Sequence, residues 1–328
     1  MDKNNEIKKL IETFHSEYTR NEEPIRINFR EIVTELSSTE RYSHLIHSYP
    51  AKLLCHIPYF FLQTDYFCPE NGVVLDPFCG TGTVMLEANS SGRNAKGADA
   101  NPLACLISKV KTTYIKKEDL QKTLGTIISR AKRFNTNECI DTSSVSRWFS
   151  KSTISQLWHL ECAIKKVRDT KQQDFFMMCL SNLVKKVSFA DPSISVPVKL
   201  NPERFAQNPE RMESAKFKLK TLENIDVYDK FENICQLNIN RIESLKDVYS
   251  KGITSEVISN DARLLTKEIG SKEMLKDESV DLILTSPPYA GAQKYIRSSW
   301  LNLFWLGNKK SCDIQKLNQQ NIGREDYH

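Results

Sequence analysis

The run VDLILTSPPYAGAQKYIR sets Ser286, Pro287, Pro288 and Tyr289 side by side, combining hydrogen-bond acceptors, a rigid turn and an aromatic face. Such a set can grip an exocyclic amine. An aromatic amine is a poor nucleophile because its lone pair is delocalised into the ring, and acceptors at its hydrogens redirect that pair toward an electrophile. The Pro287 carbonyl and the Ser286 hydroxyl or carbonyl supply acceptors, and Tyr289 offers a face that would hold a base for in-line transfer. Two consecutive prolines fix φ, remove two backbone donors and push Ser286 toward an extended conformation. The residues just before, 280–285, are apolar with one acid and predict a buried parallel strand. In open α/β sheets, ligands bind beyond the carboxyl ends of such strands. Taken alone, the four residues would equally suit an ordinary strand-to-loop exit.

A second segment, VVLDPFCGTGTVMLEANSSGRNAKGADANPLA over 73–104, reads as strand, glycine loop, helix and strand. Val73 to Leu75 are strand-like, Gly80 and Gly82 permit a tight turn with close backbone approach, and Thr83 to Asn89 resume as a helix. A nucleotide-like ligand can lie against backbone N–H groups at such a helix start. The loop is not a phosphate loop, because no Gly-Lys-Ser/Thr follows, and its spacing differs from the dinucleotide fingerprint GxGxxG. The next strand, Ala95 to Ala98, ends in Asp99, about 20 residues past the glycines, where an acid can accept from both hydroxyls of a ribose. A generic βαβ turn with a capping acid is the plainer alternative.

The segments DPFCGTGT, GADANP and TSPPY, in that order, resemble the AdoMet-binding and catalytic motifs of the DNA amino-methyltransferases, the cytosine-N4 and adenine-N6 group. HSYPAKLLCHIPYFFL, 47–62, is similar to the segment that in this group closes over the methionine end of AdoMet, and VISNDARLL, 257–265, looks like the third strand with its acid. The resemblance implies S-adenosyl-L-methionine held by Tyr49, Pro50, Asp76, Pro77, Phe78, Cys79, Gly80, Gly82, Thr83, Asp99, Ala100, Asn101, Asp261 and Ala262, with Asp261 at the adenine amine. It implies catalysis by Ser286, Pro287, Pro288 and Tyr289 on a base flipped out of duplex DNA, without a metal. In the family, serine before the two prolines tends to accompany cytosine N4 and aspartate adenine N6. The implied function is therefore cytosine-N4 methylation of DNA in a restriction-modification system. Adenine N6, a catalytically incomplete AdoMet- or DNA-binding subunit, and RNA guanine N2 stand as alternatives.

Length and composition fit an intracellular enzyme. The 328 residues are 40% hydrophobic, enough for a sizeable core. The nine cysteines show no CxxC spacing, so neither zinc nor a disulfide framework is indicated, and Cys79 reads as a small packing residue. The charged amphipathic start MDKNNEIKKLIETF lacks the apolar core of a signal peptide, which places the chain in the cytoplasm. Net charge is +5, yet residues 111–250 hold 24 Lys plus Arg against 17 Asp plus Glu. That local surplus suits a polyanion, and a solvated helical surface would account for it as well.

These elements predict an α/β fold, a Rossmann-like AdoMet-dependent methyltransferase sheet with a large helical insertion and without its C-terminal strands. The expected divisions are an N-terminal helical segment (1–40), an AdoMet-binding half (41–110), an inserted basic helical domain that could recognise DNA (111–250) and a catalytic half (251–328). Within the insertion, Ser152 or Thr153 is expected to cap a helix with an apolar stripe of Ile154, Leu157, Trp158, Ile164 and Val167. Residues 175–187 form a second helix, and a long polar helix follows over 209–249 with Phe217 and Phe231 on its apolar side. Trp148 and Trp158 read as core, while Arg147, Lys151, Lys185, Lys186 and Arg204 could meet phosphate. After a last helix over 295–306 the family's sheet would continue with further strands. Trp300, Leu303, Phe304, Trp305 and Leu306 are thus expected to require a second polypeptide that supplies them.

Overall fold

The structure, a computed structural model, describes residues 3–34, 36, 41–49, 52–134, 143–259, 261–266, 275–288 and 295–320. Pro50 and Tyr289 of the expected site lie outside the described residues. The chain divides into two compact units, one of residues 1–100, 107–114 and 244–287, the other of residues 101–106, 115–243 and 288–328.

The first unit carries α1 (Lys3–Asn21), α2 (Phe29–Ile32), α3 (His56–Leu62), β1 (Val73–Asp76), α4 (Thr83–Ser90), β2 (Asn94–Ala98), the second half of α5 (Pro102–Lys111), α11 (Lys246–Tyr249), β3 (Ser255–Ser259) and β4 (Leu282–Ile283). The four strands form one parallel sheet in the order β3-β2-β1-β4. Side chains alternate across it. Val74 and Ala95 pack with Val84, Met85 and Ala88 of α4 on one face, while Leu75, Ile258 and Leu275 gather on the other. This is an α/β, Rossmann-like sheet.

Strand β4 is parallel, as its sequence suggests, but it is not buried. Among the described residues it pairs only with β1, and Ile283 is 62% exposed. Its apolar run mirrors one covered face and a β-rich edge rather than an interior position. The polar tie that fixes its register is Asp281, whose carboxylate accepts from the Val73 N–H at 2.7 Å while its own N–H donates to the Val73 carbonyl.

Gly97 of β2 faces the glycine loop so closely that a Cβ would lie 2.5 Å from Met85 Sδ and 2.9 Å from Cys79 Cβ. Cys79 is accordingly a packing residue, 4% exposed. Gly97→Ala should cost about 1–3 kcal/mol in urea denaturation and Gly97→Val more, because overpacking here displaces backbone-proximal atoms as well as a flexible thioether.

The second unit is helical: α6 (Lys117–Arg133), α7 (Lys151–Lys165), α8 (Thr170–Val184), α9 (Pro209–Glu223), α10 (Val227–Glu243), α12 (Tyr295–Trp305) and α13 (Ser311–Gln320), with the first residues of α5. Helix α7 is capped by Ser150, whose Oγ accepts from the Thr153 N–H, rather than by Ser152 or Thr153. Its buried stripe is therefore Leu157, Leu160, Ala163 and Ile164, with Ile154, Trp158 and Val167 at the margins. The long helix expected over 209–249 is three helices. Asn224 leaves the helical region at φ −120°, and the Asp226 carboxylate accepts from the Tyr228 and Asp229 N–H groups to start α10. The break turns Phe217 to solvent, 72% exposed, while Phe231 stays fully buried.

The aromatic cluster of α12 needs no partner chain to cover it. Leu303, Phe304 and Trp305 are buried within this unit, Asn302 donates to the Ser181 carbonyl of α8, and Trp300 meets Trp148 edge to face at 5.7 Å. What looked like an orphan apolar patch is the seam between α12 and α8. Trp148 is core, at 3% exposure. No helix among the described residues is long and apolar enough to cross a membrane.

Candidate active site

The sheet order reverses between β1 and β4, since the chain proceeds from β1 outward through β2 to β3 and then returns to the other side of β1. In such sheets the crevice beyond the carboxyl ends at the reversal is the ligand site. The glycine loop leaves β1 there and the Ser-Pro-Pro turn leaves β4 there. The two are joined directly. Asp76, the last residue of β1, accepts at one carboxylate oxygen from the Thr285 hydroxyl at 2.6 Å and from the Phe78 N–H at 3.1 Å. The backbone ladder ends at Leu284, whose N–H donates to the Leu75 carbonyl. Ser286 and Pro288 are half-buried and Pro287 is exposed.

Gly80 and Gly82 both hold positive φ, 49° and 71°, which is what lets the loop turn back over β2. Gly82 abuts Ser108 of α5, and the Ser108 hydroxyl donates to the Gly80 carbonyl at 2.8 Å. A Cβ at Gly80, by contrast, would meet nothing nearer than the Phe78 carbonyl at 4.0 Å. The loop is thus tied down on one side and open on the other. The Asp99 carboxylate, at the end of β2, accepts from the Gly80 N–H at 3.0 Å, so the predicted ribose acid lies against the predicted loop.

Other expected residues have further duties. Asn101 caps α5 by accepting from the Leu103 N–H and donates to Ser299 at 3.3 Å. Asp261 begins the turn that holds Ala262, and both of its carboxylate oxygens face the Arg263 guanidinium, at 2.9 and 2.7 Å. Tyr49 is buried, Thr83 is the first residue of α4, and Pro77 and Phe78 are half-buried in the loop. No group of three or more His, Cys, Asp or Glu side chains among the described residues could hold a metal ion.

Sequence reasoning missed a buried polar cluster beside this loop. Glu87 of α4 is fully buried, with its carboxylate 2.6 Å from His44 Nε2 and 3.1 Å from the Arg41 guanidinium. Lys111, also fully buried, donates to the Thr81 hydroxyl at 3.4 Å, and its carbonyl accepts from Ser43. Lys52 donates to the His47 carbonyl at 2.6 Å. The bonds of Arg41, Ser43 and His44 clamp the segment that leads to Tyr49 onto α4 and the end of α5. The available signal was an acid in the middle of TVMLEAN, a helix otherwise without charge.

Burial pushes the Asp76 carboxyl up to about 7, against the opposing bonds from Thr285 and Phe78. The sign follows from linkage. The folded state holds this proton between the ordinary carboxylate value and about 7, so stability from this group falls as pH rises through that window, by about 1.4 kcal/mol per unit. Asp76→Asn should therefore gain in melting temperature relative to the parent as pH is raised from 5 to 8, measured by thermal unfolding in matched buffers. A gap that is flat with pH would contradict it.

The family model described as DNA methylase, for N6 and N4 methyltransferases, matches residues 8–110. The type II methyltransferase M.MvaI of Kocuria varians is 27% identical over 299 residues, covering 86% of this chain and 61% of the relative. M.BsoBI of Geobacillus stearothermophilus is 21% identical over 286 residues, covering 81% of this chain and 55% of the relative. This chain thus spans about three fifths of the length of these relatives. No solved structure matches it. The glycine loop at the sheet reversal, the Ser-Pro-Pro turn bonded to its first strand, and these matches agree in one likeness: the chain is similar to the DNA amino-methyltransferases.

Proposed function

We propose that the protein transfers a methyl group from S-adenosyl-L-methionine to an exocyclic amine of a DNA base, cytosine N4, within a restriction-modification system. The observation that carries this reading is the Thr285–Asp76 hydrogen bond, which holds the amine-gripping turn at the mouth of the glycine loop. The residues present fit the cofactor. Open space above Gly80, a carboxylate at Asp99 and the strand ends at the sheet reversal suit an adenine nucleoside with a charged tail. Asp76 to Thr83, Asp99, Ala100 and Asp261 would hold it, with Tyr49 and its neighbours over the methionine end. When bound, it supplies a sulfonium methyl.

The chain's own part is to make the amine reactive. The Pro287 carbonyl and Ser286 accept the amine's hydrogens, which localises its lone pair, and Tyr289 stacks on the flipped base. Serine at position 286 favours cytosine over adenine, following the tendency of the family that the motif resembles. The basic insertion would carry DNA recognition. A second polypeptide adding strands beyond β4 is supported by that strand's unpaired edge among the described residues.

The test is incubation with labelled AdoMet and mixed-sequence DNA, with the neighbouring gene product present and absent, followed by digestion to nucleosides. Label in N4-methylcytosine is expected. Label in N6-methyladenine would move the base, and label in RNA alone would overturn the DNA assignment.

A further inference from the structure

The helical unit contains a cavity of about 370 Å³, within the range typical of ligand clefts, walled by Arg147, Trp148, Val196, Pro197, Arg297 and Trp300. Arg297 closes the run that carries the Ser-Pro-Pro turn, the others lie outside the motif segments, and among the described residues no acidic side chain lines the cavity. The Arg147 guanidinium lies 4.8 Å over the Trp148 ring, and Trp148 meets Trp300 edge to face.

The walls are fixed in advance. Trp148 is anchored through its backbone, its N–H to the Val145 carbonyl and its carbonyl from the Phe189 N–H at 2.7 Å. The loop that supplies Val196 and Pro197 is closed by the Asp191 N–H bond to the Val198 carbonyl and by Lys185, whose ammonium donates to the Ile194 and Ser195 carbonyls. Lys185 is therefore spent on this wall rather than left for phosphate.

We propose that this cavity captures a DNA nucleotide that has left its stack, the base against Trp300 and its phosphate at Arg147 and Arg297. The chemistry selects the ligand. Aromatic walls beside arginines are the arrangement by which single-stranded nucleic acid is held, since every base has a π-face and the backbone is anionic. Trp148, buried and braced by Trp300, cannot wedge into a duplex; the concavity receives a base instead. The local surplus of positive charge over 111–250 favours a polyanion over an apolar partner. The proposal rests on the DNA reading above and adds a second point of nucleotide contact to it.

The experiment is fluorescence anisotropy of the full chain with labelled oligonucleotides of one sequence: single strand, perfect duplex, and duplex with one bulged base. The single strand and the bulge should bind more tightly than the perfect duplex. Arg147→Gln with Arg297→Gln should weaken the single strand at least tenfold and flatten the dependence of log affinity on log salt by about 0.7, the value for one phosphate contact on a single strand. Trp300→Leu should weaken it several-fold with the salt slope unchanged, and Trp300→Phe should restore most of the loss. Calorimetric AdoMet binding, unaltered in all of these, shows that the variants fold. Variants that bind like the parent overturn the proposal, as does a parent that prefers the perfect duplex. Methyl transfer to DNA by such unaltered variants would leave the proposed function intact while removing this one. Unstacked-strand binding lost in the variants, from a parent that methylates no DNA, would do the reverse.

Discussion

Ser286→Ala is expected to lower methyl transfer by about 10²–10³-fold, the usual cost of removing one preorganised group from the reacting centre, while AdoMet affinity changes little. The division follows from position. Ser286 lies past the end of the β4 ladder, beyond the last backbone bond at Leu284, and no part of the glycine loop depends on its side chain for a described hydrogen bond. Thr285→Val is the informative contrast. It removes the donor at a buried carboxylate, so Asp76 loses a partner worth about 1–3 kcal/mol, and both the turn and the loop should loosen. Transfer and AdoMet binding should then fall together. Single-turnover rates with labelled AdoMet, paired with calorimetry, separate the two patterns. Equal loss of cofactor binding in Ser286→Ala would show that the turn and the loop do not divide the work in this way.

The parts of the site that the sequence made legible are those carried by backbone geometry. Gly80 and Gly82 announce positive φ, Asp76 and Asp99 announce strand ends, and two prolines announce a turn, because each residue type is tied to a local conformation. The sheet order could be anticipated only as far as these ends. Elements set by distant partners were harder to read. The apolar run of β4 looks interior although only one neighbour pairs with it, since side-chain periodicity does not report how many strands lie beside a strand. The α12 cluster looked unpartnered because α8, more than a hundred residues away in the chain, is what covers it. Helix boundaries at Ser150 and Asn224 turned on single hydrogen bonds to N–H groups, which several nearby polar residues could equally have made. Glu87 was visible as an anomaly, but its partners Arg41 and His44 lie in a stretch with no periodicity of its own.

Glu87→Ala is expected to be the most destabilising single change in the sheet unit, by about 3–5 kcal/mol, because it leaves the half-buried Arg41 guanidinium without its carboxylate and opens a cavity under His44. Glu87→Gln keeps the volume and one acceptor, so its loss should be about 1–3 kcal/mol. The expected functional consequence is larger than either figure suggests. Tyr49 follows closely on Arg41, Ser43 and His44, so weakening the clamp should lower AdoMet affinity even at temperatures where the protein remains folded. A double-mutant cycle isolates the cause. Replacing Arg41 and Glu87 together by leucine removes both charges and should recover part of the stability lost by Glu87→Ala, since paired removal spares the cost of an orphan charge. The same double variant should not recover AdoMet affinity, because the clamp is still gone. Lys111, fully buried and pushed down to about 7 by that burial, sets a further condition. Its folded state sheds a proton that the unfolded chain keeps up to its ordinary value near 10.5, so the stability of this region should rise as pH is raised between those two values. Urea denaturation of the parent and of Lys111→Met at pH 7 and pH 9.5 measures this. The parent should gain on the variant with rising pH, and a gap that stays flat would mean that Lys111 stays charged inside the fold.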